Sequence, residues 1–484
     1  MSRGVVTCAR AEAAEAGAAI FRAGGNAADA AVAAAFALAV TDPANCGIGA
    51  YGGYAVVANG SGDVAQVDFN TAPPRRFEAK RLAAAPRKGP FVHGGMSVTI
   101  PTVVPGLWEL SMRFGRLPWA DLLLPATVLA RDGFEAGPDL IRAVRWVRRF
   151  NTDPGFRSLF GALDHDGAVV RQPALAETLA VLAEDGADAM RTGPIPEAIA
   201  RTVAVQGGSL ASIDFADANA EVRPARSFTL AGATIHGPDE ERSGFGVCKQ
   251  ASSILENLPC GWADSDAVRI DRLETALREA WSRRDAATRG IVAPAGTVQH
   301  TTHLCTSDSE GGTVSLTFTH GPLWFGSGML DFETGVLLNC GANILVAPRT
   351  AQGPVFAQAN ICPIVITDRS QTCAFGSPGG RRIPGLTTTF IVDLLVRRLR
   401  VGSAIASPRV SVAIDGTLEV ERPLDELVPS ARVIERDEFY GPASAAVRLS
   451  DGTLSGISDP RFNGAVAVPD GEGPAPLNEE QASS

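Results

Sequence analysis

Residues 300–319 constrain the fold more than any other part of the chain. Within them, residues 313–319 alternate polar and apolar side chains, as a half-buried strand does, and residues 309–312 supply a glycine-containing turn. A preceding strand that begins near His300 would complete an antiparallel hairpin. That hairpin would bring Thr319 back beside Thr301, eighteen positions earlier. Threonine is common in strands for steric reasons, so the pattern alone predicts structure and not chemistry.

The rest of the chain predicts helices and strands around this hairpin. With 484 residues, 45% of them hydrophobic, the chain is long enough to bury a large core. Helical patterns cover residues 9–23, 264–288 and about 387–398, and strand patterns cover residues 54–58 and 65–69. Asn26 can cap a further helix that runs to about Val40. The chain has 43 basic and 53 acidic residues, so its net charge of −10 argues against nucleic acid as the main partner.

The sequence argues against a metal or cofactor site, a phosphate-binding loop and a membrane-spanning segment. The eight cysteines form no CxxC pair and no zinc-ligand spacing, so we expect thiols, no metal and no cofactor. The glycines of residues 47–53 lack the following lysine of a phosphate-binding loop. The most apolar run, residues 30–40, is shorter than the roughly 20 residues that span a bilayer. Because no export signal follows Met1, we expect a cytoplasmic protein without membrane attachment.

Six short motifs stand in a fixed order along the chain. They are GGNAADAAVAA at 24–34, LARDGF at 129–134, TTH at 301–303, FGSG at 325–328, TGVLLN at 334–339 and GSPGG at 376–380. In sequence and in order, this set resembles the gamma-glutamyltranspeptidase family of N-terminal-nucleophile hydrolases.

The resemblance implies an α+β fold, a four-layer αββα sandwich in one large domain. It also implies that the chain is cut in two between His300 and Thr301. Residues 1–300 would form the large portion and residues 301–468 the small portion, which together make a heterodimer. Residues 469–484 are polar and rich in proline and glycine, so we expect a disordered tail.

The resemblance also assigns catalytic roles. A threonine hydroxyl is a weak nucleophile, but an N-terminal threonine carries its own base, an amine whose pKa is about 7.7–8.0. We therefore hypothesise that Thr301 attacks the carbonyl of His300 and frees that amine. Thr319 matches the threonine that orients the nucleophile, and the backbone N–H groups of Gly379 and Gly380 match the oxyanion donors. No histidine base is needed, so Thr302 and His303 are expected to be structural.

The positions that would bind a glutamyl substrate differ from the family. Asn70 replaces the arginine that holds the substrate carboxylate, and Ile344 falls at or near the place of the aspartate that binds the amino group. The family's serine pair falls at Ala359 and Asn360. Arg381 is either a ligand for a substrate carboxylate or a surface arginine. Since an unpaired buried charge is costly, a standard gamma-glutamyl donor is not expected.

We therefore expect an amidohydrolase or acylase that acts on another small amide through an acyl-enzyme. One alternative is a genuine gamma-glutamyl hydrolase or transferase that binds glutamate through a rearranged loop. Another is a non-catalytic relative that keeps the fold as a binding module. Whether water or an amine accepts the acyl group stays open, and so does further assembly.

Overall fold

The chain folds around two antiparallel β-sheets stacked face to face. The structure is a computed structural model, and it describes residues 3–85, 87–88, 91–259, 261–291, 300–349, 353–434, 441–462 and 464–469. The strands in chain order are β1 (Gly4–Cys8), β2 (Gly52–Ala58), β3 (Val64–Asp68), β4 (Arg87–Lys88), β5 (Phe91–Val92), β6 (Phe134–Glu135), β7 (Val169–Val170), β8 (Glu221–Pro224), β9 (Arg226–Leu230), β10 (Ala233–Gly237), β11 (Thr288–Gly290), β12 (His300–Asp308), β13 (Thr313–Gly321), β14 (Leu345–Pro348), β15 (Phe356–Ala357), β16 (Ile364–Thr367), β17 (Gln371–Gly376), β18 (Val410–Val412), β19 (Leu418–Val420), β20 (Arg432–Val433), β21 (Ser444–Leu449), β22 (Leu454–Ser458) and β23 (Ala465–Ala467).

Helices cover both sheets. In chain order they are α1 (Ala11–Arg22), α2 (Ala27–Thr41), α3 (Ala79–Ala83), α4 (Val103–Phe114), α5 (Trp119–Asp132), α6 (Pro138–Val147), α7 (Pro154–Phe160), α8 (Pro173–Asp185), α9 (Pro194–Val205), α10 (Phe245–Leu255), α11 (Asp266–Ala287), α12 (Ile383–Ile391) and α13 (Val401–Ala406).

The larger sheet has the strand order β23-β1-β12-β13-β2-β3-β8, and the smaller has the order β22-β21-β17-β16-β10-β9. Neighbouring strands are antiparallel throughout both sheets. The predicted hairpin is confirmed as β12 and β13 at the centre of the larger sheet. Strands from both sides of the His300–Thr301 bond alternate in that sheet, so this bond divides one layered unit.

Side-chain alternation along β12 explains why the hairpin lies between two layers. Cys305 points toward the second sheet, where it packs in one cluster with Val365 and Ala374. Its neighbour Leu304 points the other way, into the cluster under the helices. Both faces of β12 are therefore buried. A shift of one residue in its pairing would move every side chain of the strand to the opposite face, so the register is strongly specified.

Helix α2 fills the space between the larger sheet and the outer helices. All of its residues are buried, and it packs against α1, α5 and β12. Small alanine side chains permit this close approach. As predicted, Asn26 caps the helix, accepting hydrogen bonds from the backbone of Ala28 and Asp29 at 3.0 Å.

Helices α10 and α12 cover the opposite side, against the smaller sheet, and α11 packs on α10. The predicted four-layer αββα arrangement is thus confirmed. One boundary was predicted wrongly: we expected a helix over residues 387–398, whereas α12 begins at Ile383 and a π-helical turn, Val392–Val396, follows it. Pro384 lies in the first turn of α12, where its missing N–H costs nothing, so the proline starts the helix. Residues 292–299 lie outside the described residues, and so does the predicted disordered tail except for its first residue, Pro469.

Candidate active site

The first residues of β12 are irregular, and this irregularity sets Thr301 apart. His300 pairs with Gly321, but Thr302 pairs with Phe318, so the register shifts between them. The extra residue is on β13, where Thr319 and His320 together lie opposite Thr301, and a bulge of this kind can re-aim side chains next to an active site. The side chain of Thr301 is buried, with 4% of its surface exposed, and it lines a cavity.

The structure brings Thr319 to the bond before Thr301. The hydroxyl of Thr319 donates a hydrogen bond to the carbonyl oxygen of His300. The same hydroxyl accepts a hydrogen bond of 2.9 Å from the backbone N–H of Gly321, which fixes its direction. A hydroxyl so oriented polarises the carbonyl that Thr301 is predicted to attack.

The loop that carries Gly379 and Gly380 follows β17. Both glycines have positive φ, 137° and 59°, a backbone region that side-chain-bearing residues rarely adopt. Pro378, just before them, lines the same cavity as Thr301. The loop therefore lies beside the nucleophile candidate, and the oxyanion role of the two N–H groups stays a prediction.

His303 lies in the interior between the sheets. Its Nδ1 is 2.8 Å from the hydroxyl of Thr317 and its Nε2 is 3.0 Å from Sγ of Cys305. Burial lowers the pKa of His303 to about 3, so the ring is neutral at pH 7. These contacts fit the structural role expected of this residue.

Gly376 provides a test of how tightly the GSPGG loop is packed. A Cβ at this position would lie 2.5–2.9 Å from the atoms of the His303 ring, which its own hydrogen bonds hold in place. We expect Gly376→Ala to lower the free energy of unfolding by about 1–3 kcal/mol, measured by denaturant titration. Gly402→Ala in α13, where a Cβ meets nothing within 4 Å, is the matched control. Equal stability of the Gly376 variant and the wild type would contradict this packing.

A cavity of about 230 Å³ opens onto Thr301. Its charged and polar side chains come from the ends of three helices: the residue before α1, the residues after α2 and the first turns of α6. They include Arg10, Asp42, Asn45, Asp139 and Arg142, with the ring of Trp324 on one wall. None of them was predicted from the sequence, because no motif links residues so far apart along the chain.

The carboxylates of Asp42 and Asp139 in this cavity each accept a hydrogen bond from a neighbouring side chain. Asn45 donates a hydrogen bond of 2.7 Å to the carboxylate of Asp42, and Arg142 donates one of 2.9 Å to Asp139. Burial raises the pKa of Asp42 to about 6. The cavity thus offers paired charges of both signs next to a hydroxyl nucleophile candidate.

The predicted substrate ligands lie elsewhere, and none of them lines this cavity. Asn70 follows β3, and its backbone N–H donates a hydrogen bond to the carboxylate of Asp68 at 3.0 Å. Arg381 is no free surface arginine, because it stacks on Trp281, 3.7 Å from the ring centroid, and pairs with Asp285 at 2.8 Å. Asn360 is half-buried beside Gly244. Their part in substrate binding stays a prediction.

Other features limit the chemistry of the described residues. Within the described ranges no group of three or more His, Cys, Asp or Glu side chains is placed to hold a metal ion. The seven cysteines in those ranges are buried free thiols. None of the helices described above is long and apolar enough to cross a bilayer.

Comparison with known proteins places this fold in a class. The crystal structure of cephalosporin acylase from Bacillus halodurans superposes with a TM-score of 0.82 at 24% identity, covering 96% of each chain. Gamma-glutamyltranspeptidase from Helicobacter pylori gives a TM-score of 0.54 at 26% identity, covering 57% of this chain and 81% of that one. The fold is that of the N-terminal-nucleophile hydrolases.

Sequence comparison identifies the family. The model of the gamma-glutamyltranspeptidase family matches residues 13–289 and 262–468. The acylase ACY 1 proenzyme of Pseudomonas sp. (strain SE83) is 28% identical over 97% of this chain and 94% of its own length. Glutathione hydrolase 3 of Arabidopsis thaliana is 27% identical over 84% of this chain and 72% of its own. The chain belongs to the gamma-glutamyltranspeptidase family and is an amidohydrolase, not a non-catalytic binding module.

Proposed function

We propose that this chain cleaves itself between His300 and Thr301 and that the freed Thr301 is the nucleophile of an acylase. The observation that carries the proposal is the hydrogen bond from the Thr319 hydroxyl to the His300 carbonyl, formed where β13 has an extra residue opposite Thr301. In self-cleavage, Oγ of Thr301 bonds to the carbonyl carbon of His300. The bond from that carbon to the Thr301 nitrogen then breaks, and the hydroxyl proton passes to the nitrogen.

Water completes the processing. It hydrolyses the ester between His300 and Thr301, which leaves a carboxylate on His300 and restores the Thr301 hydroxyl. The new amine has a pKa of about 7.7–8.0, so it can accept the hydroxyl proton near neutral pH and return it to a leaving group. The two resulting chains remain together as a heterodimer, because their strands alternate within the larger sheet.

Catalysis on a substrate repeats the same attack. Oγ of Thr301 bonds to the carbonyl carbon of the substrate amide, and the amine of Thr301 passes the proton to the departing nitrogen. The N–H groups of Gly379 and Gly380 stabilise the negative charge that develops on the carbonyl oxygen. Water then hydrolyses the acyl-enzyme.

We also propose that this enzyme is located in the cytoplasm.

The substrate is an amide other than a gamma-glutamyl one. Ile344 lies in an apolar cluster and offers no partner for a substrate ammonium. The side chain of Asn70 is uncharged and cannot form the two parallel, charge-assisted hydrogen bonds by which an arginine binds a carboxylate. Support also comes from the relative named an acylase, which aligns over 94% of its length. The amide of a cephalosporin is included among the candidates because of the acylase structure with this fold.

A gamma-glutamyl hydrolase is the second candidate, favoured by the glutathione hydrolases among the relatives. A panel assay separates the two: gamma-glutamyl-p-nitroanilide is compared with p-nitroanilides of simple acyl groups and with a cephalosporin amide. We expect turnover of simple acyl amides and little release of p-nitroaniline from the gamma-glutamyl compound. Strong turnover of the gamma-glutamyl compound would overturn the preference for an acylase.

A further inference from the structure

The ring of His300 is stacked on an aromatic wall of the cavity. Its centroid lies 4.3 Å from that of Trp324, and the two ring planes differ by 24°. His300 is 4% exposed, and burial together with the positive charge of Arg142 lowers its pKa to about 3. The imidazole is therefore a neutral, planar group held face to face against an indole.

Trp324 lies beside one face of α6. Asp139, Arg142 and Trp146 are spaced three and four residues apart, so they share that face. Asp139 and Arg142 line the cavity, and Trp146 meets Trp324 edge to face at 5.5 Å. Phe150 supports Trp146 in the same manner at 4.9 Å. The indole therefore has an aromatic contact to α6 as well as the stacked contact to His300.

In the uncut chain, His300 is the acyl group that Thr301 attacks. In the processed enzyme the substrate carbonyl has to reach the same hydroxyl, with its acyl substituent in the space beside it. Trp324 borders that space, because it lines the cavity onto which Thr301 opens. Departure of His300 after cleavage would expose the face of the indole on which its ring had been stacked.

We infer that the exposed face of Trp324 is the acyl subsite of the mature enzyme and that it selects acyl groups bearing a planar ring. The inference rests on the proposed function, since it needs Thr301 to act on both carbonyls. In His300 the ring is separated from the carbonyl carbon by two carbons, Cα and Cβ. A 3-arylpropionyl group has the same spacing and is the acyl class that the subsite fits.

The test compares two p-nitroanilides with equal numbers of carbon atoms, 3-phenylpropionyl and 3-cyclohexylpropionyl. They differ in the planarity of the ring, so the ratio of their kcat/KM values reports stacking and not chain length. We expect the processed wild-type enzyme to prefer the phenyl compound roughly two- to tenfold. In Trp324→Leu the preference is expected to vanish, whereas Trp324→Phe is expected to keep part of it.

Trp262→Leu is the matched control. This half-buried tryptophan packs between α10 and α11 against a different cluster, so the phenyl preference is expected to stay at the wild-type value. A preference unchanged in Trp324→Leu would overturn the inference. A wild-type enzyme that prefers the cyclohexyl compound would also overturn the inference, and this result does not depend on whether a variant folds.

Failure of the proposed function gives a different result. In that case no anilide is hydrolysed and no chain begins at Thr301. An active, processed enzyme whose phenyl preference does not depend on Trp324 would overturn the subsite alone.

Discussion

Replacing Thr301 by alanine is expected to leave one uncut chain of 50.3 kDa with no measurable amide hydrolysis. The alanine has no hydroxyl to attack the carbonyl of His300, so no ester forms. Without cleavage there is no terminal amine to act as base. Denaturing electrophoresis of freshly purified protein, followed by the anilide assay, measures both consequences.

Two variants control for this result. Thr302→Ala makes the same change one residue further along β12, at a side chain that is 1% exposed. The Thr302→Ala variant is expected to be cut, because the hydroxyl of Thr302 has no part in the attack. Thr301→Ser keeps a hydroxyl and is expected to be cut as well. Two fragments of normal size in Thr301→Ala would show that another group performs the cleavage.

Replacing Thr319 by valine is expected to slow the cleavage by a factor on the order of 10²–10³, the usual effect of losing one donor to a developing oxyanion. Valine keeps the shape of threonine but cannot donate to the carbonyl of His300. It also leaves the N–H of Gly321 without the acceptor it has in the wild type, which costs about 1–3 kcal/mol. The rate is measured as the time course of precursor conversion after synthesis.

Thr319→Ser is the control for that experiment, because serine retains both the donor and the acceptor. It is expected to be processed at a rate near that of the wild type. If Thr319→Val were processed as fast as the wild type, the hydrogen bond to His300 would have no part in the cleavage.

The hairpin was predictable because its signals are local, whereas the layered fold was implied by the family resemblance. Alternation over residues 313–319 marks a strand, and the turn before it sets the pairing of β12 with β13. The cap at Asn26 was predictable for the same reason, since its partners are within three residues. The bulge opposite Thr301 was not predictable, because no residue pattern in the hairpin indicates that β13 has an extra residue at Thr319 and His320.

The cavity could not be predicted from the sequence. Arg10, Asp42 and Asp139 lie at the ends of three different helices, and only the packing of those helices brings them to Thr301. Trp324 lies close to the FGSG motif, but the sequence around a loop tryptophan does not show which ring stacks on it. The contact with His300 could therefore not be predicted. Arg381 illustrates the same limit, because its partner Asp285 is on α11, nearly a hundred residues earlier.

The most direct test of the account is the N-terminal sequence of the smaller polypeptide in mature protein, read by stepwise degradation or mass spectrometry. The account predicts a chain that begins Thr-Thr-His-Leu, at Thr301. A mature, active preparation in which the smaller chain begins elsewhere, or in which the chain is uncut, would contradict it.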